Sequence, residues 1–355
     1  MKASLKDILI KRIEATGPIT IADYMADCLM HPEHGYYTQQ KVFGAEGDFI
    51  TAPEVSQMFG EMLGLWLADR WYKMDKPDEV QLIELGPGRG TLMQDILRAT
   101  APVPDFHSAL TVHFIETSAQ LRALQAEKVP NARWHDDLST VPEGPTLLVA
   151  NEFFDALPIH QFEKLDGKWC ERRVNAAADG LELVLTPASP KFALTNTALH
   201  AGPDGSVLEV CPAGLSVAGS IAERLFACGG AAIIIDYGYR KTAVGDSFQA
   251  LQNHKYVDPL AAPGDADLTA HVDFEQIAAA AKSKGAASYG TAAQGAFLMA
   301  LGIGERAQQL AAATDPQGQE RLLSELTRLT SSDAMGTLFK VLALQDPKLP
   351  APPGF

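Results

Sequence analysis

The sequence predicts an α/β fold in which helices cover both faces of a parallel sheet. Short apolar runs alternate along the chain with stretches of helical periodicity, and the first run leads directly into a glycine-rich turn. These runs, each the length of a buried strand, cover residues 80–85, 111–116, 146–150 and 231–236. Because apolar runs separated by helices are typical of parallel strands buried on both sides, the pattern indicates a doubly covered sheet.

Two helices are predicted ahead of this sheet. Ser4 and Thr20 each stand where a side chain can cap a helix, and each precedes an amphipathic stretch. A long loop rich in aromatic residues follows, and after Pro53 apolar residues at helical spacing predict a long helix. We therefore expect an N-terminal helical cap with a functional loop, residues 1–75, followed by the sheet domain, residues 76–355.

Two insertions interrupt the alternation of strands and helices. Asp166-Gly167 separates two runs of strand character and is a strong hairpin signal, so the stretch at about 159–210 is interpreted as an inserted antiparallel β arm. A second insertion, which has an irregular pattern, covers residues 241–274. Beyond it, Gly336–Leu344 is predicted to be the last strand.

The charge balance excludes some classes of function. The 355 residues include 29 Lys and Arg against 44 Asp and Glu, which gives a net charge of −15. Nucleic-acid binding is not expected, because affinity for phosphates requires clustered basic side chains. Membrane insertion is not expected either, since no apolar run reaches the length of about 18 residues that a spanning helix needs.

The spacing of cysteine and histidine does not indicate a metal site. His31 and His34 lie three residues apart, but Pro32 separates them and no further ligands follow nearby. The cysteines are widely spaced and form no CxxC pair: Cys28, Cys170, Cys211 and Cys228. This spacing, together with an N-terminal stretch that lacks signal-peptide character, predicts reduced thiols and a cytoplasmic location.

The most informative stretch is an ExGxGxG pattern formed by Glu84, Gly86, Gly88 and Gly90. Glycines let the backbone approach a ligand in conformations that a side chain would forbid. The dinucleotide pattern GxGxxG would need its third glycine at position 91, which is Thr, and no Gly-Lys-Ser/Thr follows. The spacing favours S-adenosylmethionine over a pyrophosphate ligand. A tight strand–helix turn without any ligand is the alternative.

Acidic residues end the next two predicted strands. Glu116 stands where a carboxylate can accept both hydroxyls of a ribose, and Asp136 with the backbone N–H at Leu138 can bind the edge of an adenine. Each position by itself could be a solvated strand end. Because the carboxyl ends of parallel strands meet at one edge of a sheet, the positions together indicate a single ligand crevice.

The apolar run 146–150 is followed by Asn151, Glu152 and, three residues later, Asp155. Methyl transfer requires an acceptor nitrogen aligned with the sulfonium, and carboxylates can bind and polarise an amine or guanidinium at that point. Glu152 and Asp155 are therefore predicted to be a catalytic pair, with Asn151 beside them. The alternative is that these residues only cap a strand–helix junction.

Six long stretches combine these features with other distinctive residues. They are HPEHGYYT (31–38), GDFITAPEVSQMFGE (47–61), IELGPGRGTLMQDILR (83–98), NEFFDALPIHQF (151–162), IIIDYGY (233–239) and DLTAHVDF (267–274). This combination resembles the MidA-like methyltransferases, a family that includes the mitochondrial complex I assembly factor that methylates arginine. The resemblance implies a seven-strand, Rossmann-like class I methyltransferase sheet that binds S-adenosylmethionine.

The resemblance also implies further roles. A loop that contains Asp48, Phe49 and Thr51 would close over cofactor and substrate, and the glycine, ribose, adenine and transfer positions would be those given above. The reaction implied is symmetric ω-dimethylation of an arginine on a respiratory complex I subunit. His271 precedes a predicted helix, and it either lines the substrate cleft or caps that helix.

Three functions remain open at this stage. The first is a protein arginine methyltransferase acting on a complex I subunit or another protein partner, which the acidic net charge favours because arginine is cationic. The second is an assembly chaperone that retains a methyltransferase fold, and the third is a small-molecule methyltransferase. The complete glycine pattern and Glu116 favour an enzyme, since a pure binding protein needs no cofactor crevice.

Overall fold

The computed structural model of the chain describes residues 3–38, 51–188 and 202–355. Within these ranges, no helix combines the length and the apolar character that crossing a bilayer would require.

The α-helices follow the chain in this order: α1 (Leu5–Thr16), α2 (Ile21–Met30), α3 (Ala52–Val55), α4 (Gln57–Lys73), α5 (Thr91–Thr100), α6 (Phe106–Ala109), α7 (Ala119–Lys128), α8 (Pro212–Cys228), α9 (Phe274–Ser283), α10 (Gln294–Ala300), α11 (Ile303–Ala311), α12 (Pro316–Thr330) and α13 (Met335–Leu338). Short 3₁₀ turns occur at Tyr36–Thr38 and Leu138–Thr140.

The strands follow in this order: β1 (Ile19–Thr20), β2 (Val80–Leu85), β3 (Leu110–Ile115), β4 (Arg133–His135), β5 (Thr146–Asn151), β6 (His160–Leu165), β7 (Lys168–Ala177), β8 (Gly180–Pro187), β9 (Val207–Val210), β10 (Gly230–Tyr239), β11 (Gln249–Gln252), β12 (Lys255–Val257), β13 (Asp267–Thr269), β14 (Val272–Asp273), β15 (Ala287–Ala293) and β16 (Phe339–Gln345).

The chain divides into two compact units. Unit 1 comprises the segments Met1–Phe49, Asp155–Gly214 and Lys241–His271. Unit 2 comprises the segments Ile50–Phe154, Leu215–Arg240 and Val272–Phe355. The domain boundary expected at residue 75 stays a prediction.

Unit 2 contains a mixed sheet. Seven strands lie side by side in the order β4-β3-β2-β5-β10-β16-β15, and the short β14 pairs with β10 outside that row. The five strands from β4 to β10 in this row run parallel, whereas β16 is antiparallel to both of its neighbours. The register places Ile83 of β2 beside His113 of β3 and Leu148 of β5. The carboxyl ends of the parallel strands therefore share one edge of the sheet.

Both faces of this sheet are buried. Leu82 and Val149 pack on one face in a large hydrophobic cluster with α4 and α5. Their chain neighbours Ile83 and Leu148 are equally inaccessible to solvent. Because alternate residues of a strand point to opposite faces, burial of both sets requires cover on both sides. This cover explains why the strands consist of continuous apolar runs.

Among its described residues, unit 1 contains antiparallel strands and the helices α1 and α2. One sheet has the order β1-β7-β6-β9 with β8 paired to β7, and a separate three-stranded sheet has the order β12-β11-β13. The side chains of Ser4 and Thr20 form capping boxes at the starts of α1 and α2. The hairpin between β6 and β7 turns at Asp166 and Gly167, whose φ angles are 49° and 72°.

The predicted α/β class, the capped N-terminal helices and the antiparallel arm are confirmed, and three local predictions are wrong. The helix expected after Pro53 is interrupted at Ser56, which has an extended φ of −159° and separates α3 from α4. The last strand begins at Phe339, later than predicted, because Met335–Leu338 forms a helical turn. The stretch 241–274 contains β11 to β14 and is not irregular throughout.

Candidate functional site

The three glycines after β2 form a turn that requires glycine. Gly86, Gly88 and Gly90 have φ angles of 58°, 50° and 76°, a region that other L-residues rarely adopt. Gly90 caps α5, and a Cβ added at Gly86 would lie 3.0 Å from Cδ2 of Phe153. At Gly88, by contrast, an added Cβ would meet no atom within 4 Å. The loop therefore has open space at its centre.

Glu116 lies beside this loop and is connected to it by Gln125. The Gln125 Nε2 donates to the carbonyl oxygen of Gly88 at 2.7 Å and to Oε2 of Glu116 at 3.2 Å. The backbone N–H of Ser118 donates to Oε1 of Glu116 at 2.8 Å. Burial raises the pKa of Glu116, and these donors oppose the rise. The carboxylate is thus held next to the glycine turn.

The sequence gives no signal for Gln125 beyond a polar residue on a helix. Its side chain is fully buried, and its Oε1 accepts a hydrogen bond from Nε1 of Trp134 at 2.8 Å. Only the fold brings α7 against the glycine turn and the ends of β3 and β4. Gln125 therefore connects three segments of the crevice that are far apart in the sequence.

Asp136 and Leu138 follow β4, and Asp136 is connected to Glu116 through Arg122. The Asp136 side chain is 80% exposed and forms an ion pair with Arg122. Arg122 Nε also donates to the carbonyl oxygen of Glu116 at 2.8 Å, so one guanidinium contacts both acidic positions. Leu138 begins the 3₁₀ turn Leu138–Thr140, and the Asp137 carboxylate accepts from the N–H of Ser139 at 2.7 Å. The structure therefore brings together the residues predicted to bind ribose and adenine.

Glu152 follows β5 in an unusual backbone conformation. Its φ of 51° is uncommon for a residue with a side chain, and such conformations are concentrated at functional sites. Its Oε1 accepts from the backbone N–H of Ala52 at 3.2 Å and from Nδ2 of Asn151 at 3.0 Å. The backbone N–H of Glu152 donates to the carbonyl oxygen of Ile235 at 2.9 Å. These contacts fix the carboxylate at the carboxyl edge of the sheet.

Asp236 supports the same loop from β10. Its side chain is fully buried, Oδ2 accepts from the N–H of Phe154 at 3.0 Å, and Oδ1 accepts from the N–H of Tyr237 at 2.9 Å. The stretch IIIDYGY marks this position in the sequence, although no role is predicted for Asp236 from it. The aspartate fixes the turn that places Phe153 against Gly86.

Of the residues predicted for the closing loop, only Thr51 lies in the described part of the chain. Thr51 precedes α3 as its N-cap residue, while Asp48 and Phe49 lie outside the described residues. Glu54 on α3 accepts a hydrogen bond from Oγ1 of Thr91, at the start of α5, at 2.7 Å. Because Ala52 binds Glu152, α3 connects the glycine turn with the predicted transfer position. The sequence reasoning missed this contribution of Glu54.

Glu84, the acidic residue of the ExGxGxG pattern, is buried at the end of β2. Burial raises the pKa of its carboxyl group to about 8. Its Oε2 is buried, and within the described residues it has no hydrogen-bond partner. Oδ1 of Asn151 is in the same situation. Buried polar atoms normally have partners, so two such atoms at one edge of the sheet are consistent with a ligand site.

Asp155 and His271 belong to unit 1, whereas the other described site residues belong to unit 2. The Asp155 carbonyl oxygen accepts from the N–H of Ala270 at 3.0 Å. Burial, Asp267 and Asp155 together raise the pKa of Tyr37, which donates to Asp267 at 2.9 Å. The backbone N–H of His271 donates to Oγ of Ser247 at 2.9 Å. The catalytic pairing of Glu152 with Asp155 stays a prediction.

The residues of the crevice fit a bound S-adenosylmethionine. The space at Gly88 allows the backbone to approach a ligand closely, and the buried Oε2 of Glu84 is left for a hydrogen bond to a ligand. Glu116 presents a carboxylate beside the glycine turn, and Asp136 presents one at the end of the next strand. Acceptors of this kind match ribose hydroxyls and an exocyclic amine.

Comparisons with known proteins agree with this fit. The sequence pattern of a family described as "Putative S-adenosyl-L-methionine-dependent methyltransferase" matches residues 62–292. The chain is 39% identical over 377 residues to the mitochondrial protein arginine methyltransferase NDUFAF7 homolog of Drosophila melanogaster. The aligned region covers 96% of this chain and 84% of the fly protein. It is 38% identical to the Homo sapiens mitochondrial protein arginine methyltransferase NDUFAF7, across 95% of this chain and 82% of the human protein.

The fold is also similar to that of a solved structure. A protein from Burkholderia thailandensis, crystallised with bound S-adenosyl-homocysteine, superimposes with a TM-score of 0.85 and 26% sequence identity. The superposition covers 99% of this chain and 93% of the other. The similarity therefore extends over both units and is not limited to the sheet.

Proposed function

The chain belongs to the family of S-adenosyl-L-methionine-dependent methyltransferases, and from this premise we propose that it methylates an arginine of a protein partner. The observation that supports the proposal most is the connection between Glu116 and the glycine turn. Gln125 holds the carboxylate and the Gly88 carbonyl together, so the ribose acceptor stands beside the open space of the loop.

The residues of unit 2 divide the task of holding the cofactor. In our proposal, the backbone of Gly86, Gly88 and Gly90 accommodates the methionine portion and the ribose. Glu116 accepts hydrogen bonds from the ribose hydroxyls. Asp136 accepts from the adenine amino group, and the backbone N–H of Leu138 donates to the adenine ring. Glu84 provides the buried acceptor behind the loop.

When bound, S-adenosylmethionine supplies a methyl group that its positively charged sulfur makes electrophilic. The protein must align an arginine nitrogen with that methyl group and leave one nitrogen lone pair available. Glu152 is proposed to bind the guanidinium, because its position is fixed by Ala52 and Asn151 and because a carboxylate attracts and polarises a cation. The arginine nitrogen would form the new N–C bond as the bond between the methyl carbon and the sulfur breaks; S-adenosyl-homocysteine would leave, and the nitrogen would release one proton to solvent.

Asn151 and Asp155 complete the proposed transfer site. Asn151 donates to Glu152 through Nδ2, so it orients the carboxylate. Asp155 follows three residues later on the chain and supplies a second buried carboxylate, which is 6% exposed. Two carboxylates suit a guanidinium, since its five N–H donors form a planar fork.

The identity of the partner rests on the relatives. Several are named mitochondrial protein arginine methyltransferases, which supports a protein substrate for this chain. We propose a subunit of respiratory complex I or a similar partner as the substrate and symmetric dimethylation as the product. The net charge of −15 is compatible with a cationic target, since opposite charges speed association. The cytoplasmic location stays a prediction.

The proposal is tested by labelling. We would incubate the full chain with isotopically labelled S-adenosylmethionine and an extract from cells that lack this protein, and then identify the labelled residue by mass spectrometry. The expected result is label on arginine of one or a few proteins. Label on a small molecule would favour a small-molecule methyltransferase. Absence of any label, together with capture of a partner subunit, would favour an assembly chaperone.

The proposed role of Glu152 predicts the behaviour of Glu152→Gln. Turnover should fall by about two orders of magnitude, because the amide keeps the shape but loses the charge that polarises the guanidinium. Affinity for S-adenosylmethionine, measured by calorimetry, should remain close to the original value. Glu320→Gln, which changes an exposed glutamate on α12, is the matched control and should leave both values unchanged. Normal turnover of Glu152→Gln would exclude this glutamate from the mechanism.

A further inference from the structure

A chain of side-chain hydrogen bonds crosses three strands of unit 2 and ends below the proposed adenine subsite. Gln81 Oε1 lies 2.7 Å from Nε2 of His113, whose Nδ1 lies 2.9 Å from Nε2 of His135. Nδ1 of His135 lies 2.9 Å from Oγ1 of Thr140. Thr140 Oγ1 also lies 2.8 Å from the carbonyl oxygen of Asp137. We refer to Gln81, His113, His135 and Thr140 as the histidine chain.

The histidine chain runs from the interior to the surface along one face of the sheet. Gln81 and His113 lie on the same face because Ile83 pairs with His113 and side chains alternate along a strand. His135 pairs with Ile115, two residues beyond His113, which places it on that face as well. His113 is fully buried, whereas Thr140 is exposed. The histidine chain therefore connects a buried interior position with the solvent-exposed segment that follows β4.

The hydrogen positions along the chain follow from its fixed end. An amide oxygen only accepts, so Nε2 of His113 carries a hydrogen and donates to Gln81. In a neutral His113 the other nitrogen, Nδ1, is then an acceptor, and Nε2–H of His135 donates to it. In a neutral His135, Nδ1 is an acceptor for the Thr140 hydroxyl. The links from Thr140 to Gln81 are then satisfied in one direction of donation, and the single hydroxyl hydrogen of Thr140 serves either Nδ1 of His135 or the carbonyl oxygen of Asp137.

The histidine chain can accept one additional proton but not two. If His135 is protonated, its Nδ1–H donates to Thr140 Oγ1, and the hydroxyl can turn to donate to the Asp137 carbonyl oxygen. A second proton, on His113, would place two N–H groups opposite each other. Consistent with this, burial followed by the charge of His135 lowers the pKa of His113 to about 4. Arg133 and Arg224 act in the same direction.

The environment of His135 also favours its neutral form. Burial lowers the pKa of His135, and the guanidiniums of Arg122, Arg133 and Arg224 lower it further. The carboxylate of Asp136 opposes the decrease. The groups come from α7, β4 and α8, the elements that surround the ring. A proton on His135 would therefore lie among cations. In the sequence, His135 immediately precedes Asp136, the residue proposed to bind adenine.

Resting on the proposed function, we infer that His113, His135 and Thr140 are positioning residues for the adenine of the cofactor. The 3₁₀ turn Leu138–Thr140 presents the N–H that is proposed to contact the ring, and Thr140 anchors the end of that turn to the sheet through His135. Without the Thr140 hydroxyl, the turn keeps the hydrogen bonds that the backbone N–H groups of Ser139 and Thr140 donate to Asp137, at 2.7 and 3.2 Å. Cofactor affinity then decreases because ordering the turn costs entropy on binding.

The same arrangement makes cofactor affinity depend on pH. An adenine placed on Asp136 and Leu138 removes water from the region beside His135 and disfavours its charged form. By linkage, protonation of His135 must weaken cofactor binding by the same factor. Affinity is therefore expected to fall as the pH decreases through the pKa of His135, which lies below the ordinary histidine value of about 6.5.

The test measures binding of S-adenosyl-homocysteine and of methylthioadenosine, which shares the adenine and ribose but has no amino-acid group. In the unaltered protein, we expect the dissociation constant for each ligand to rise between pH 7.5 and pH 5.5, toward a limit of about threefold at lower pH that corresponds to a decrease of half a unit in the pKa of His135. Thr140→Val removes the contacts of the hydroxyl with His135 and Asp137 and should raise both constants about tenfold at pH 7.5, the scale of a lost hydrogen bond. His135→Phe should make the change with pH smaller than in the unaltered protein.

Thr337→Val is the matched control. It removes a hydroxyl that donates to the carbonyl oxygen of Ser332 at 2.7 Å, and Thr337 is not part of the histidine chain. It should bind both ligands like the unaltered chain. If Thr140→Val and His135→Phe both kept the affinity and the pH dependence of the unaltered protein, the inference would be overturned, while the proposed function would stand. Failure of the unaltered chain to bind either ligand would overturn the proposed function and the inference with it.

Discussion

Glu84 shows how the fold changes the chemistry of a single residue. In the sequence it is one letter of a glycine-rich pattern, but in the structure it lies on β2 between the paired strands β3 and β5, and its side chain is buried. Burial favours the neutral carboxyl group and raises its pKa to about 8. At neutral pH, Glu84 therefore carries a proton in the folded chain, whereas in the unfolded chain it is ionised.

This difference predicts the behaviour of Glu84→Gln. Between pH 4.5 and pH 8, the folded chain retains a proton that the unfolded chain has lost, so the free energy of unfolding falls as the pH rises through this window. The decrease is at most about 1.4 kcal/mol per pH unit. Glutamine has no such proton. Melting curves from pH 5 to pH 8 should show the stability of Glu84→Gln rising relative to the unaltered chain.

The reference for this comparison is Glu320→Gln, whose exposed side chain on α12 should give a stability profile parallel to that of the unaltered chain. A parallel profile for Glu84→Gln as well would show that Glu84 is ionised in the folded chain. The description of its carboxyl group as a protonated, buried group would then be wrong.

At the scale of elements, the turn between β2 and α5 can be tested with a pair of glycines. Gly88 and Gly167 have φ angles of 50° and 72°, and at neither would an added Cβ meet an atom within 4 Å. Alanine at either position should therefore cost about 1 kcal/mol of stability through backbone strain alone. Only Gly88→Ala should weaken binding of S-adenosyl-homocysteine, by about tenfold or more, because its Cβ occupies the space of the proposed ligand.

Thermal unfolding and calorimetry would measure the two effects separately. Equal losses of stability with a selective loss of affinity in Gly88→Ala would support a ligand at the glycine turn. Equal affinities in Gly88→Ala and Gly167→Ala would show that the space at Gly88 is only a feature of a tight turn.

Local signals predicted those elements that local physics determines. The capping boxes at Ser4 and Thr20 and the turn at Asp166-Gly167 depend on residues within a few positions of each other. The parallel strands were predictable because burial on both faces requires continuous apolar runs. The glycine turn and Glu116 were predictable as a site because both follow such runs, and the structure places them side by side.

Other elements depend on contacts between distant segments. β15 contains alanine, glycine and polar residues, so its pattern does not distinguish it from a loop, and its pairing with β16 makes it a strand. Gln125 and Glu54 reach the crevice only because α7 and α3 pack beside the glycine turn. No spacing within the sequence shows either contact in advance.

At the scale of the whole molecule, the two units divide the predicted site residues between them. The glycine turn, the ribose and adenine acceptors and Glu152 all belong to unit 2, the unit that contains the mixed sheet. Asp155 and His271 belong to unit 1, whose segments are the N-terminal region and the two insertions in the chain. Cofactor binding is therefore predicted to depend on residues of unit 2.

The most direct test is calorimetric titration of the full chain with S-adenosyl-homocysteine. We expect one ligand to bind per chain, and we expect Glu116→Ala to raise the dissociation constant by about ten- to one-hundredfold, the effect of losing hydrogen bonds to a charged group. Glu127→Ala, which alters an exposed glutamate on the same helix as Gln125, should bind normally. Absence of binding to the unaltered chain, or equal affinity in Glu116→Ala, would contradict a cofactor site at the glycine turn.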